Sequence, residues 1–303
     1  MHRDVIILKR LTIGDRAFDI ANTTILTIIL FIVVAPLLFI LAASMSNPDD
    51  VLLGNVWFWP VGLNISAYEQ IFAHEAIMTG YRNTIFYTVA GTILNLVLTI
   101  CAAYPLSRRD LRGRNAIMML MLFTMYFSGG LIPQFMNVRN LGLYDTWWVL
   151  LLLPAISTYN VIIMKTFFQN SIPQEINDAA IIDGCTNTRL LLGIILPLSK
   201  AVISVLLLWY AVAHWNSYFN ALLYLRDKNK FPLQLVLRDV LVLSRPLDMG
   251  TTADELQTYA EQIKRAELLK YAIIVAANLP LLMIYPFIQK YFAQGIMIGS
   301  VKG

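Results

Sequence analysis

Six stretches without a single Asp, Glu, Lys or Arg divide this 303-residue chain, and they decide what it can fold into. They run between Asp19 and Asp49, Arg82 and Arg108, Arg114 and Arg139, Asp145 and Lys165, Lys200 and Arg226, and Lys270 and Lys290. The shortest holds 19 residues, and about 20 residues of helix cross the hydrocarbon of a bilayer. One such stretch could be a buried helix of a water-soluble protein. Six specify an all-α, polytopic membrane protein with six transmembrane helices. The charged fraction agrees, at 14% against roughly 25% in soluble domains. Small residues follow the first stretch in "LAASMSN" at 41–47, but its apolar run is far longer than a secretory signal core. It reads as an uncleaved first helix.

Orientation follows from where Lys and Arg fall. The leader carries Arg3, Lys9, Arg10 and Arg16, and the connection "SRRDLRGRN" at 107–115 is rich in arginine. Residues 45–79 hold no Lys or Arg but do hold Asp49, Asp50, Glu69 and Glu75. The leader and the arginine loop are therefore expected in the cytoplasm and the acidic segment outside. An even number of spans then places both termini in the cytoplasm. The expected organisation is a leader at 1–19, a first span at 20–48 and an external segment at 49–81. A five-helix core at 82–293 follows, with a cytoplasmic loop at 170–197 and an external segment at 226–267, and a cytoplasmic tail closes the chain at 294–303. Residues 226–267 mix seven basic and seven acidic residues and read as a small external segment whose end, "DELQTYAEQIKRAELLKYA", is helical. The first half of that segment is basic, with Arg226, Lys228, Lys230, Arg238 and Arg245, which could attract an acidic sugar or protein surface. The net charge of +4 is thus spent on topology, and no nucleic-acid partner is implied.

The cytoplasmic stretch "NDAAIIDGCTNTRLLLGIILP" at 177–197 is too polar to cross a bilayer yet carries Ile181, Ile182, Leu190 and Leu191. Pro173 suits a helix's first turn, with Asn170 or Ser171 as caps. The helix should stop at Gly184, where a residue without Cβ can turn the chain, and Thr186 or Asn187 then caps a second short helix. Ala179 and Ala180 keep one side thin. A helix lying in lipid headgroups usually carries Lys or Arg on its polar face. Here that face is Gln174, Glu175, Asn177, Asp178 and Asp183, so a protein partner is the better reading.

The spacing D-A-A-x-x-x-G-x9-I-x-L-P, set by Asp178, Ala179, Ala180, Gly184, Ile194, Leu196 and Pro197, resembles the "EAA" loop of bacterial ABC importer permeases. Asp178 stands where that family usually has Glu, a shorter acid with less reach. The Asp183–Gly184 pair is similar to the carbohydrate importer branch. The ending "QKYFAQGIMIGSVKG" at 289–303 and the stretch "KYAIIVAANLPLLMIYPFIQKYF" at 270–292 resemble the maltose-type inner permease and its polysaccharide and lipoprotein-linked relatives. The resemblance implies a bacterial cytoplasmic-membrane subunit that passes an oligosaccharide, or a polysaccharide fragment such as an alginate oligomer, into the cell. It implies a coupling helix seated in an ATPase subunit dimer, a second related permease and an extracytoplasmic solute-binding protein. The tail around Gly299, Lys302 and Gly303 would reach toward the ATPase. ATP and Mg would be bound by that partner, with no cofactor in this chain.

Competing classes lack their chemistry. A chain that used ATP itself would need a phosphate loop of the G-x-x-x-x-G-K-[ST] type, and no Gly-Lys dipeptide occurs. His2, His74 and His214 are too scattered for a metal cluster, and the two cysteines, Cys101 and Cys185, form no disulfide framework. An ion-coupled carrier commonly places ionisable groups within its spans, and only His214 qualifies. An ABC importer for a solute other than a sugar is the remaining alternative. For the path itself, "LWYAVAHWNSYFNALLYL" at 208–225 puts Trp209, Asn216 and Asn220 on one helical stripe and Tyr210, His214 and Ser217 on the next. Aromatic faces and amides suit sugars; an interfacial aromatic belt with packing amides is the alternative.

Overall fold

The computed structural model describes residues 12–243, 263, 264, 266 and 269–283. It divides into two compact units, one of residues 1–71 and 245–275 and the other of 72–244 and 276–303. Every regular element among the described residues is helical. The tail residues Gly299, Lys302 and Gly303 lie outside the described residues, as does most of the expected helix before Lys270.

In the first unit α1 runs from Ile13 to Ser44. A capping box starts it: Thr12 Oγ1 accepts from Asp15 N, and Asp15 returns a carboxylate oxygen to Thr12 N at 2.9 Å. Both orphan donors of the first turn are satisfied in this way. Those bonds hold the Asp15 carboxyl below its usual range. Pro36 sits within the helix, which membrane helices tolerate better than soluble ones. Helices α2 (Pro48–Leu52) and α3 (Ser66–Ala73) follow. The chain between them folds back on the end of α1, with Asn47 N donating to Val61 O at 2.9 Å and Asn64 N to Met45 O at 2.9 Å. Lys264 pairs with Asp49 at 2.6 Å in the same unit.

The second unit is built on α4, Glu75–Ser107. Its buried face holds Asn83, Thr84, Thr92, Asn95 and Thr99, while Ile85, Val89, Ile93 and Val97, four residues apart, are exposed. Small and polar residues inside with aliphatics outside is the arrangement of a helix in lipid, where packing and interhelical hydrogen bonds replace the hydrophobic drive. Then come α5 (Arg114–Tyr126) and α6 (Leu131–Asn140), bent by 114° at Gly130, whose φ is +87°. Next are α7 (Trp147–Leu152), α8 (Thr158–Asn170), α9 (Gln174–Ile182) and α10 (Asn187–Leu190). A π turn at Leu191–Ile195 leads through α11 (Leu196–Leu198) to α12 (Lys200–Trp215), α13 (Phe219–Tyr224) and α14 (Leu233–Leu243). The last described helix is α15, Leu269–Met283.

Among the described residues two helices, α1 and α4, are long and apolar enough to cross a membrane, or up to four spans if each bent pair counts as one. The expected fourth window is not one continuous helix. It is broken into α7 and α8 around Pro154, which lacks an N–H and disfavours helix in the residue before it. The fifth window also breaks, because α12 stops at Trp215 and α13 begins at Phe219.

At one end of α4, residues 226–233 are tied down. Asn83 Nδ2 donates to Asn229 O at 2.7 Å and Phe231 O at 3.0 Å, Tyr87 OH donates to Lys230 O at 2.8 Å, and Thr84 Oγ1 accepts from Leu233 N at 2.7 Å. Asp145 accepts from Arg226 N at 3.0 Å and Asp227 N at 3.1 Å and pairs with Lys230 at 3.6 Å. The Arg226 and Asp227 amides and the Lys230 charge hold the Asp145 carboxyl below its usual range. The basic stretch is therefore partly neutralised. Lys230 faces Asp145 and Asp227, Arg238 faces Asp239, and Arg226 lies over the Tyr144 ring at 5.7 Å. Arg245 lies outside the described residues.

Candidate functional site

At the opposite end of α4 from that network lies the 170–197 loop. Helix α9 ends at Ile182, and Gly184 follows with φ +69°. Cys185 N donates to Ala180 O at 2.9 Å, six residues to one, and Asp183 N to Ala179 O at 3.0 Å. This is a Schellman ending, which requires the left-handed residue that only glycine adopts without cost. Among the described residues nothing lies within 4 Å of where a Gly184 Cβ would be. Thr186 caps α10, accepting from Arg189 N at 3.4 Å. The expected stop and cap both stand where the sequence put them.

The loop has an inner and an outer side. Ala180, Leu190 and Ile195 are buried in one cluster with Ala103, Tyr104 and Leu106 of α4, Val161, Met164 and Phe168 of α8, and Leu206 and Tyr210 of α12. Ile194, Leu196 and Leu191 pack against that cluster, half-buried. Asp178, Ala179, Asp183, Gly184 and Pro197 are exposed, and Ile182 is 85% exposed. So the loop is rooted in the bundle through one set of aliphatics and presents acids, a thin alanine and an isoleucine outward. The π turn and the break at Ser199, whose Oγ donates to Ile195 O at 2.7 Å, bend residues 187–198 by 83° from α12. Packed side chains thereby join the loop to α12.

Beside α9 the arginine loop is braced. Arg108 forks Asp110 through Nε at 3.0 Å and Nη2 at 3.2 Å, and Arg114 donates to Arg108 O at 3.2 Å. The Arg108 guanidinium holds the Asp110 carboxyl down. Gln169 of α8 donates to Ser107 O at 3.1 Å. A cavity of about 640 Å³ opens between this loop and α9, lined by Tyr104, Arg108, Arg114, Asn177 and Asp178 among others.

Further along α12 is a second cavity of about 460 Å³. Trp209, Asn216 and Asn220 all line it, together with Tyr210, His214 and Ser217, so the two expected stripes open on one space. A single continuous helix does not hold them, since Asn216 ends α12 and Asn220 belongs to α13. Trp209 stacks on Tyr159 with ring centroids 6.0 Å apart and 17° between planes. Among the described residues that line it there is no Asp, Glu, Lys or Arg.

Four residues of this cavity escaped the sequence reading: Asn95, Ser157, Asn160 and Pro154, where the chain breaks. Asn95 Nδ2 donates to Pro154 O at 3.1 Å and lies 3.2 Å from His214 Nε2. Beside it Thr99 Oγ1 and Tyr210 OH share a hydrogen bond of 2.7 Å. Gly91 lies against the His214 ring so closely that any Cβ there would collide with it. An amide in the middle of a charge-free window was the available signal, because such groups seldom occur in a span without a partner.

No family model matches the chain. Relatives do. It is 41% identical over 96% of its length to Protein LplC of Bacillus subtilis, covering 97% of that protein. It is 40% identical over 95% of its length to the polygalacturonan/rhamnogalacturonan transport system permease protein YtcP of the same organism, covering 99% of it. A chain of a bacterial ABC transporter involved in the import of the acidic polysaccharide alginate superposes with a TM-score of 0.82 at 33% identity, over 93% of this chain and 98% of that one. Such permeases act in the bacterial inner membrane with an ATPase, a solute-binding protein and a second permease; they are transport subunits, not enzymes. The chain belongs to the permease subunits of carbohydrate ABC importers.

Proposed function

We propose that the chain forms half of an oligosaccharide path, with the aromatic and amide cavity on α12 as its lining and the 178–197 loop as its handle on the motor. The observation that carries this is the pairing of the two on one helix system. Trp209, held in a stack with Tyr159, and the amides of Asn95, Asn160, Asn216 and Asn220 line one space that is uncharged among the described residues, and α12 runs from there to the rooted loop. Aromatic faces stack on the apolar faces of pyranose rings, and amides both donate to and accept from hydroxyls. The solute is an oligosaccharide, with a polysaccharide fragment such as an alginate oligomer favoured by the likeness to permeases named for polysaccharide transport. This lining, uncharged among the described residues, would read ring faces and hydroxyls, leaving any carboxylate to the binding protein and the second, related permease.

In this reading the outward face of α9, with Asp178, Ala179, Ile182, Asp183 and Gly184, seats in a cleft of an ATPase dimer. ATP and its Mg are held there and no cofactor is held in this chain. Gly299, Lys302 and Gly303 reach toward the same dimer. The chain crosses the membrane six times with both termini in the cytoplasm, and the arginine loop supports that orientation.

Uptake into proteoliposomes holding the full complex, with binding protein outside and ATP inside, tests the path. Trp209→Ala removes one half of the stacked platform, worth about 1 kcal/mol, so uptake of an oligosaccharide should fall several-fold while the complex stays assembled. Unchanged uptake of alginate oligomers, galacturonides and neutral oligosaccharides alike would remove the cavity from the path.

A further inference from the structure

Between Asp50 and Glu69 lies a stretch of 18 residues without charge, "VLLGNVWFWPVGLNISAY", too irregular to be a span. Its tip is Trp57–Phe58–Trp59–Pro60. Trp59 is 83% exposed and Trp57 70% exposed, far more indole surface than water would favour. The Phe58 ring folds back onto α1, its centroid 6.1 Å from that of Phe31. Phe58, Trp59 and Pro60 together cover Leu38, Leu41, Ala42 and Met45 of α1, leaving an apolar groove of about 260 Å³ between them.

The Phe31 contact fixes the depth. Any stretch of about 20 residues drawn from the 20–48 window contains Phe31. In the stretch that ends soonest, 20–39, Phe31 still lies eight residues, about 12 Å of helix, inside the boundary from which the chain emerges. Side chains on a helix lean toward its N-terminus, which carries the Phe31 ring deeper still. A ring 6.1 Å away therefore lies within the hydrocarbon for every placement of α1. The backbone of 57–60 is neither helix nor strand, which keeps it at the boundary. Since it lies beside Leu38 and Leu41, α1 leaves the hydrocarbon near those residues and the side chains do the reaching.

We propose that the Trp57–Pro60 tip is a lipid anchor. Phe58 enters the acyl region of the leaflet into which α1 emerges, and Trp57 and Trp59 lie at the headgroup boundary. Amphipathic indoles favour that depth. The base of the loop is pinned to α1 by Ser46, whose Oγ accepts from Val61 N at 3.0 Å, and by the Asn47–Val61 and Asn64–Met45 bonds. The anchor thereby sets how far α1 rises in the bilayer. Nothing in the path or the coupling loop is needed for this role.

Spin labels on the assembled, reconstituted transporter test it. In a Cys101→Ser, Cys185→Ser background, a nitroxide is placed at Trp59→Cys and, as an aqueous control, at Asp49→Cys. The Trp59 label should collide several-fold more with oxygen, which concentrates in lipid, than with a water-soluble nickel chelate, and the Asp49 label should show the reverse. Chelate access at Trp59 equal to that at Asp49 would put the tip in water and overturn the proposal. Access by neither reagent would mean a protein surface covers the tip, and would overturn it equally.

Discussion

Gly184 and Gly91 both resist replacement, for opposite reasons. At Gly184 a Cβ would meet none of the described residues, and the cost is in the backbone at φ +69°. A non-glycine residue held there pays about 1–2 kcal/mol, and Asn pays less than a β-branched residue. Gly184→Asn should keep more transport than Gly184→Ala, and Gly184→Val should keep least, as ranked by uptake per assembled complex. At Gly91 the backbone is helical and the cost is steric, since the Cβ meets the His214 ring. Overpacking of this kind costs about 1–3 kcal/mol. Gly91→Ala should lower the melting temperature of the detergent-purified complex, and Gly91→Ala with His214→Ala should recover part of the loss. A double variant no better than the single one would place the strain elsewhere.

Among the elements, the 226–233 segment depends on one carboxylate. Asp145 sits at φ +55° and receives two backbone amides. Its carboxyl is held low in the fold, so its contribution is complete above the ordinary aspartate range near pH 4. The contribution is lost as pH falls below that value through the lowered one. Asp145→Ala should therefore destabilise at pH 7, on the order of 1 kcal/mol, and flatten the acid limb of a melting-temperature profile. Asp145→Asn keeps an amide acceptor and tolerates the positive φ, so it should lose less. A wild-type acid limb in Asp145→Ala would remove this carboxylate from the account. The sequence made α9, its stop and its cap legible because each rests on neighbours in the chain. It could not show that Asp145 serves residues 81 and 82 positions away, or that Asn95 meets His214 across 119 residues. Nor could it show that the Asp145–Lys165 window breaks into two helices, because hydropathy counts residues and Pro154 acts through a missing donor.

At the scale of the molecule, charge-free windows announce a membrane protein, and the inverted face of α4 gives that reading its packing. The orientation carries its own test. In sealed cells, cysteines introduced at Asp49 and Lys228 should react with an impermeant thiol reagent, and one at Arg112 should not; labelling at Arg112 would reverse the topology. The loop roots Ala180, Leu190 and Ile195 in the bundle and turns Asp178, Ile182 and Gly184 outward. A strained Gly184→Val loop should leave the permease pair inserted and assembled while breaking its seat on the motor. ATP hydrolysis by the reconstituted Gly184→Val complex, with binding protein and sugar present, is the direct measurement. Loss of stimulation in an assembled complex is the predicted result, and full stimulation would contradict the coupling assignment.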